Sequence, residues 1–255
     1  MSAVLAGPPG DHCITGFKHT GTPVGKAIEV AGVPTYLSEP PTGSTTEGAP
    51  KKVVLYFADV HGPLYVNCQL LQDYFASHGY HVLGIDYFLG DPIHIHTDDP
   101  NFDRQAWIAK SRKQAAELVP KWVEAVREIY GADARYSGVG YCFGGPPVLE
   151  LATTGKLVAA AFAHPASLTE DHFTNLKAPL LLSCAETDKS FPAESRRRAE
   201  DLLIEAKAQY HIQVFAGVSH GFAVRGNPDN ENERWAKEES ARSIIGWFNR
   251  FSNKP

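Results

Sequence analysis

The five residues Gly140-Tyr141-Cys142-Phe143-Gly144 lie between a β-branched run and a plausible helix. They follow the Gly-x-Ser-x-Gly pattern of a strand that turns sharply into a helix, with cysteine in the serine position. Such a turn holds its central residue at strained backbone angles, and side chains at the two flanking positions would clash, so both are glycine. The thiol is thereby lifted out of the sheet at a helix N-terminus, where unpaired N–H groups and the helix dipole favour thiolate. Taken alone, a glycine-flanked cysteine is equally well an inert core thiol.

Two later segments favour the chemical reading. Ala185-Glu186-Thr187-Asp188 follows the apolar run at residues 179–184, and Ser219-His220-Gly221-Phe222 follows a further strand-like run. A nucleophile, an acid and a histidine, each just past the C-terminal end of a strand, occur in the chain order of an α/β-hydrolase triad. Open parallel sheets place their sites at that edge. In this reading Cys142 attacks a carbonyl carbon, His220 handles the thiol proton, and Asp188 orients the imidazole and stabilises its cationic form. The oxyanion requires two donors: the backbone N–H of Phe143 and that of Val60, in the loop after the strand ending at Ala58. Glu186 competes with Asp188 as the acid, and Asp188 also suits an N-cap ahead of Pro192. His220 could equally be a loop residue bound to a carbonyl.

The rest of the chain reads as strands alternating with helices. Strands are expected over residues 27–37 (with a turn near Gly32), 52–58, 80–87, 135–141, 157–164, 180–184 and 212–215. Helices are expected over 64–78, 106–130 with a kink or break at Pro120, 143–154, 193–208 and 233–251. The pattern implies a doubly wound, mostly parallel sheet with right-handed crossovers, flanked by helices. Residues 1–23, rich in glycine, threonine and proline, form an irregular arm, and residues 40–50 a loop. No repeat or linker interrupts the 255 residues, which are read as one domain.

A net charge of −5 argues against a nucleic-acid surface. The Arg196-Arg197-Arg198 run sits among Glu194, Glu200 and Asp201 and reads as a solvated helix face. No long apolar run suggests a membrane span or a secretory signal. The four cysteines, Cys13, Cys68, Cys142 and Cys184, have neither Cys-x-x-Cys nor zinc-site spacing. The expectation is a cytoplasmic enzyme with reduced thiols and a small-molecule substrate, acting as a monomer or weak homodimer without cofactor or metal. Asp91, His94, His96, Asp98, Asp99 and Asp103 cluster in the 88–102 loop and its margin, and read as solvated or substrate-flanking residues rather than metal ligands.

On Gly140-Tyr141-Cys142-Phe143-Gly144-Gly145, Asp188 and His220-Gly221-Phe222, the chain resembles the dienelactone hydrolase family. The run from Ser219 to Gly226 is similar to its eukaryotic, fungal-type branch. The resemblance implies an α/β-hydrolase that cleaves a lactone or activated ester through a Cys–His–Asp triad and a thioester, a cyclic carbamate or lactam being a neighbouring possibility. The family's type reaction opens an enol-lactone of aromatic catabolism. It further implies that an acid meets the resting thiol, and Asp59 holds that place, unless it merely caps its loop. Similarity to the family's bacterial members would imply a substrate carboxylate clamped by two arginines. Arg225 stands near one such place, whereas Phe88-Leu89-Gly90-Asp91 lacks the other and Arg104 is the nearest candidate. Losing one arm of such a clamp costs about 1.5–3 kcal/mol, which disfavours the anionic type substrate. Phe222 and Tyr87 are expected to line the pocket. The competing readings are a non-hydrolytic small-molecule binder on the same fold and a redox sensor, for which Cys184 is the candidate resolving thiol.

Overall fold

The computed structural model describes residues 2–44 and 48–253, so residues 45–47 of the expected 40–50 loop lie outside the described residues. The apolar run at 52–58 forms β3 (Lys52–Phe57), and its alternation assigns the side chains to two cores. Val53, Leu55 and Phe57 face one core, while Val54, Tyr56 and Ala58 face the other. Burial on both faces is what a continuous apolar strand in a parallel sheet requires.

Ahead of β3, β1 (Lys26–Val30) and β2 (Val33–Ser38) pair antiparallel across the Ala31-Gly32 turn. After it come α1 (Val66–Ser77), β4 (His81–Ile85), α2 (Arg104–Tyr130), β5 (Arg135–Tyr141) and α3 (Gly145–Ala152). The chain continues through β6 (Ala159–Ala163), α4 (Asp171–Thr174), β7 (Leu180–Thr187), α5 (Ala193–Glu205), β8 (Tyr210–Ser219), α6 (Phe222–Arg225) and α7 (Glu231–Ser252). The sheet order is β1-β2-β4-β3-β5-β6-β7-β8. All pairings from β4 onward are parallel, and those of β2 are antiparallel. The chain leaves β3 to add β4 on one side and then returns to add β5 on the other. The switch point between β3 and β5 therefore opens a crevice at their C-terminal ends. This is the α/β-hydrolase arrangement expected from the sequence.

At Pro120 no break occurs, because α2 runs through it from Arg104 to Tyr130 as the expected 106–130 helix. Its buried stripe, Trp107, Ser111, Ala115, Val119, Trp122, Val123 and Val126, continues on both sides of the proline. Pro120 itself faces solvent, where water can take the carbonyl left without its N–H partner, and packing of the stripe outweighs the lost bond. The expected 180–184 and 212–215 strands extend to Thr187 and Ser219, which carries both to the same edge.

The arm is ordered by long-range bonds. Leu5 and Ala6 are buried, and the Leu5 and Ala6 amides both donate to the Leu168 carbonyl. The Gly7 amide donates to Ser190, and the Phe17 amide to Arg225. A single 3-10 turn, Asp11–Cys13, lies between these anchors, and Arg104 clasps it through Asp11. The arm therefore crosses the loops that follow β6, β7 and β8.

Candidate active site

Cys142 follows β5 directly and has φ +48°, in the left-handed region that a non-glycine residue enters only under constraint. The constraint is close packing. A Cβ on Gly140 would lie 2.2 Å from the Gly144 carbonyl oxygen, and one on Gly144 would lie 2.1 Å from that of Phe57. No side chain fits at either position, which accounts for both glycines. The Cys142 carbonyl accepts from Ala166 at 3.0 Å. Arg112 donates to the Phe143 carbonyl at 2.8 Å and stacks 3.8 Å from the Phe143 ring, which holds the turn from behind.

Phe57 on β3 is in register with Gly140 on β5. Val60 and Phe143 thus stand equally far beyond the sheet edge on adjacent strands. The Val60 amide makes no hydrogen bond among the described residues, while its carbonyl accepts from Ile93.

His220 lies just beyond β8, and its Nδ1 is 2.9 Å from both carboxylate oxygens of Asp188. Asp188 Oδ1 also accepts from the Ser190 and Phe191 amides at 2.8 and 3.0 Å. These bonds fix the carboxylate, and α5 begins after Pro192 without a side-chain cap. Glu186, the competing acid, is exposed and accepts instead from the Gly217 amide. His164, beyond β6, packs 4.9 Å from the His220 ring with both nitrogens unpartnered. Burial holds it well below the usual histidine range, hence neutral beside a charged neighbour.

The other face of His220 meets the arm. Cys13 Sγ is 3.2 Å from His220 Nε2, and the Cys142 thiol lies 3.4 Å from Cys13 Sγ as donor. A second thiol thus stands between the elbow cysteine and the histidine. His12 packs edge-on against His220 at 4.7 Å and bonds Ser190 Oγ at 2.7 Å. The Cys142 hydrogen bond draws the Cys13 thiol far below its ordinary range against the pull of burial, with His12 and His220 assisting. Burial, and then the bond to Cys13, push Cys142 well above its range. For His220 burial opposes charge, but the bonds to Asp188 and Cys13 outweigh it and raise the imidazole to about 9. These directions, with Cys13 on the imidazole and Cys142 donating to Cys13, favour a thiolate–imidazolium pair between Cys13 and His220 and a protonated Cys142.

This corrects one expectation outright. The thiol beside Cys142 is Cys13, not Cys184, which is buried on β7 with its thiol pushed up to about 12 by burial. Asp59 and Arg225, expected to serve the thiol and a substrate carboxylate respectively, form a buried ion pair with one another. Asp59 also accepts from the His61 amide at 2.9 Å, and Arg225 Nε donates to Thr15 O at 3.0 Å. Both side chains sit under the arm, and no contact joins Asp59 to Cys142 among the described residues. Arg104 is engaged by Asp11. Phe222 is buried against His164 and Phe215, and Tyr87 donates to the Ala58 carbonyl and packs on Phe143. Both are core side chains in this arrangement.

The histidine–aspartate loop disperses into local roles. Asp91 pairs with His96 and Lys110, Asp103 caps α2, and His94 stacks on His61. Among the described residues, His12, Cys13 and His220 have donor atoms within 4.8 Å of one another, a set that suits a soft cation. The sequence reading missed Cys13, His12 and His164. Only His164, at the end of an expected strand, carried a positional signal.

A model of the dienelactone hydrolase family matches residues 35–252. Dienlactone hydrolase 1 of Gibberella moniliformis is 37% identical over 252 residues, covering 96% of this chain and 95% of its own. Dienlactone hydrolase 2 of the same fungus is 36% identical across 100% of both chains. Among solved structures, a putative dienelactone hydrolase from Klebsiella pneumoniae superposes with a TM-score of 0.69 at 18% identity. The match covers 89% of this chain and 98% of that one, and it speaks for the fold. No helix among the described residues is long and apolar enough to cross a membrane. With the match spanning the elbow, both later segments and the sheet from Thr35 onward, the chain belongs to the dienelactone hydrolase family.

Proposed function

We propose that this hydrolase opens a small, neutral lactone or activated ester by covalent catalysis, with Cys142 as nucleophile, His220 as acid and base, and Asp188 as orienting acid. The observation that carries the reading is a cysteine held at φ +48° at the switch point of the sheet, at the same edge as a buried His220–Asp188 pair.

One proton shift readies the site. Cys142 passes its proton to the Cys13 thiolate, which leaves Cys142 as thiolate, Cys13 neutral and His220 still cationic. The Cys142 thiolate then attacks the carbonyl carbon, and the oxyanion is received by the Val60 and Phe143 amides. Collapse releases the alcohol or enol oxygen, which takes the proton from His220. Neutral His220 then draws a proton from water as it attacks the thioester, and the acid departs with Cys142 restored. A buried Arg225 already neutralised by Asp59, and an Arg104 engaged by Asp11, support a neutral substrate over a carboxylate.

The test is a panel of p-nitrophenyl acetate, a neutral aryl lactone, a dienelactone carboxylate and a cyclic carbamate, each with the native chain and Cys142→Ala. Turnover confined to the native chain, fastest on the neutral lactone, is expected. Turnover that survives in Cys142→Ala sinks the nucleophile assignment. Faster hydrolysis of the carboxylate sinks the charge argument.

A further inference from the structure

Cys13 belongs to no element of the sheet and arrives from an arm, yet its sulphur is fully buried 3.4 Å from that of Cys142. The residues around it are open. Asp11, Thr15 and Gly16 are exposed and His12 and Ile14 half-buried, so a small swing of the Asp11–Cys13 turn brings solvent to the sulphur. The other two thiols lie elsewhere. Cys68 sits in α1 and bonds Asp59 at 3.8 Å, and Cys184 lies within β7.

We propose that Cys13 and Cys142 form a reversible disulfide when a hydroperoxide oxidises Cys13, tying the arm across the reaction centre. That this silences hydrolysis rests on the function proposed above, whereas the pairing itself does not. Closing from 3.4 Å to a disulfide length of about 2.05 Å requires an approach of about 1.4 Å, within the reach of side-chain rotation and a slight shift of the turn.

The chemistry balances within the site. The Cys13 thiolate attacks the peroxide oxygen and the O–O bond breaks. The departing alkoxide takes the His220 proton and leaves as alcohol, giving Cys13 sulfenic acid. Cys142 sulphur then attacks the Cys13 sulphur. Its S–H proton joins the expelled hydroxide as water, and the S–S bond forms. The two thiols lose two electrons and the peroxide gains them. Cys13 sits beneath the open Asp11–Cys13 turn, 3.2 Å from His220 Nε2, so a peroxide entering from solvent meets its sulphur before that of Cys142. Cys142, as the resolving thiol, captures the Cys13 sulfenic acid before it can be oxidised further.

The full chain is treated with hydrogen peroxide, blocked with N-ethylmaleimide, digested without reductant and mapped by mass spectrometry, with activity followed in parallel. The expected result is a Cys13–Cys142 linked peptide, loss of turnover in proportion to the linked fraction, and return of both on adding dithiothreitol. Cys184→Ser should behave like the native chain. Cys13→Ser should yield no linked peptide, and with no partner thiol its Cys142 should proceed to sulfinic acid under prolonged peroxide, so that dithiothreitol restores a smaller fraction of its turnover than in the native chain. Links from Cys142 to Cys68 or Cys184, oxidation of the native chain to sulfinic acid without any link, or equal recovery of native and Cys13→Ser chains after prolonged peroxide would each overturn the proposal. A Cys13–Cys142 link in a chain that hydrolyses nothing supports the pairing and refutes only the hydrolase reading.

Discussion

Replacing Asp59 by asparagine should destabilise the protein far more than an ordinary surface change, because it leaves the Arg225 guanidinium buried without its counter-charge. The Asp59 and Arg225 side chains are 0% and 2% exposed, so solvent does little to screen the loss. Removing one partner of such a pair costs about 3–5 kcal/mol. For 255 residues, about 2.1 cal/mol/K per residue gives an unfolding entropy near 0.5 kcal/mol/K, so a loss of about 4 kcal/mol lowers Tm by about 7 °C. Arg225→Gln should cost a similar amount by stranding the carboxylate. The double variant should be no less stable than either single one, since no buried charge then remains unpaired. Urea unfolding of all four proteins closes the cycle. The arm should loosen in both single variants, because Arg225 also holds Thr15 and Phe17, and proteolysis near residues 15–17 reports it. Single variants that each lose less than about 1 kcal/mol, as exposed pairs do, or a double variant as costly as the two singles added, would refute the reasoning.

Asp188→Asn should lower turnover on the order of 10³–10⁴-fold, as loss of an orienting carboxylate does in hydrolase triads, with little change in KM; steady-state kinetics showing a loss under tenfold would count against it. A further expectation concerns pH. His220, raised from 6.5 to about 9, contributes stability present below 6.5 and lost as pH rises towards 9; Cys13, depressed from 9.0, contributes stability present above 9.0 and lost as pH falls. Between 6.5 and 9 the two slopes cancel in the native chain, whereas Cys13→Ser keeps only the histidine slope. The gap in urea stability between native and Cys13→Ser should therefore widen with pH over that range, and a constant gap would refute the ion-pair assignment. Gly144→Ala should cost about 3 kcal/mol or more, since its Cβ would meet the Phe57 carbonyl oxygen at 2.1 Å. Gly246→Ala, inside α7 with nothing within 4 Å, should instead gain about 0.5–1 kcal/mol; equal urea midpoints for the two would contradict the packing account.

Features carried by local periodicity were legible from residues alone. The apolar run of β3, the helical stripe of α2 and the glycine-flanked turn at Cys142 each state their own conformation, because strand alternation, helix spacing and steric exclusion act over a few residues. The order of Cys142, Asp188 and His220 was legible too, because each follows a strand and parallel strands end at one edge. The sequence left Glu186 competing with Asp188, and the structure finds Asp188 on His220 and Glu186 on Gly217. Pro120 did not break the helix, because its local rule is real but weaker than the packing on either side of it.

Which groups meet across the edge was decided only by the tertiary structure. Cys13 and Cys142 are 129 positions apart, and Asp59 and Arg225 are 166 apart. The arm has no period that could announce its course, since its geometry is set by bonds to Leu168, Ser190 and Arg225 rather than to itself. A side chain's charge state likewise depends on what surrounds it once folded. The sequence by itself therefore determined the sheet, the elbow and the order of Cys142, Asp188 and His220 along the strand ends. The folded chain decided that a second thiol stands at the elbow and that the nearby carboxylate and guanidinium are committed to each other.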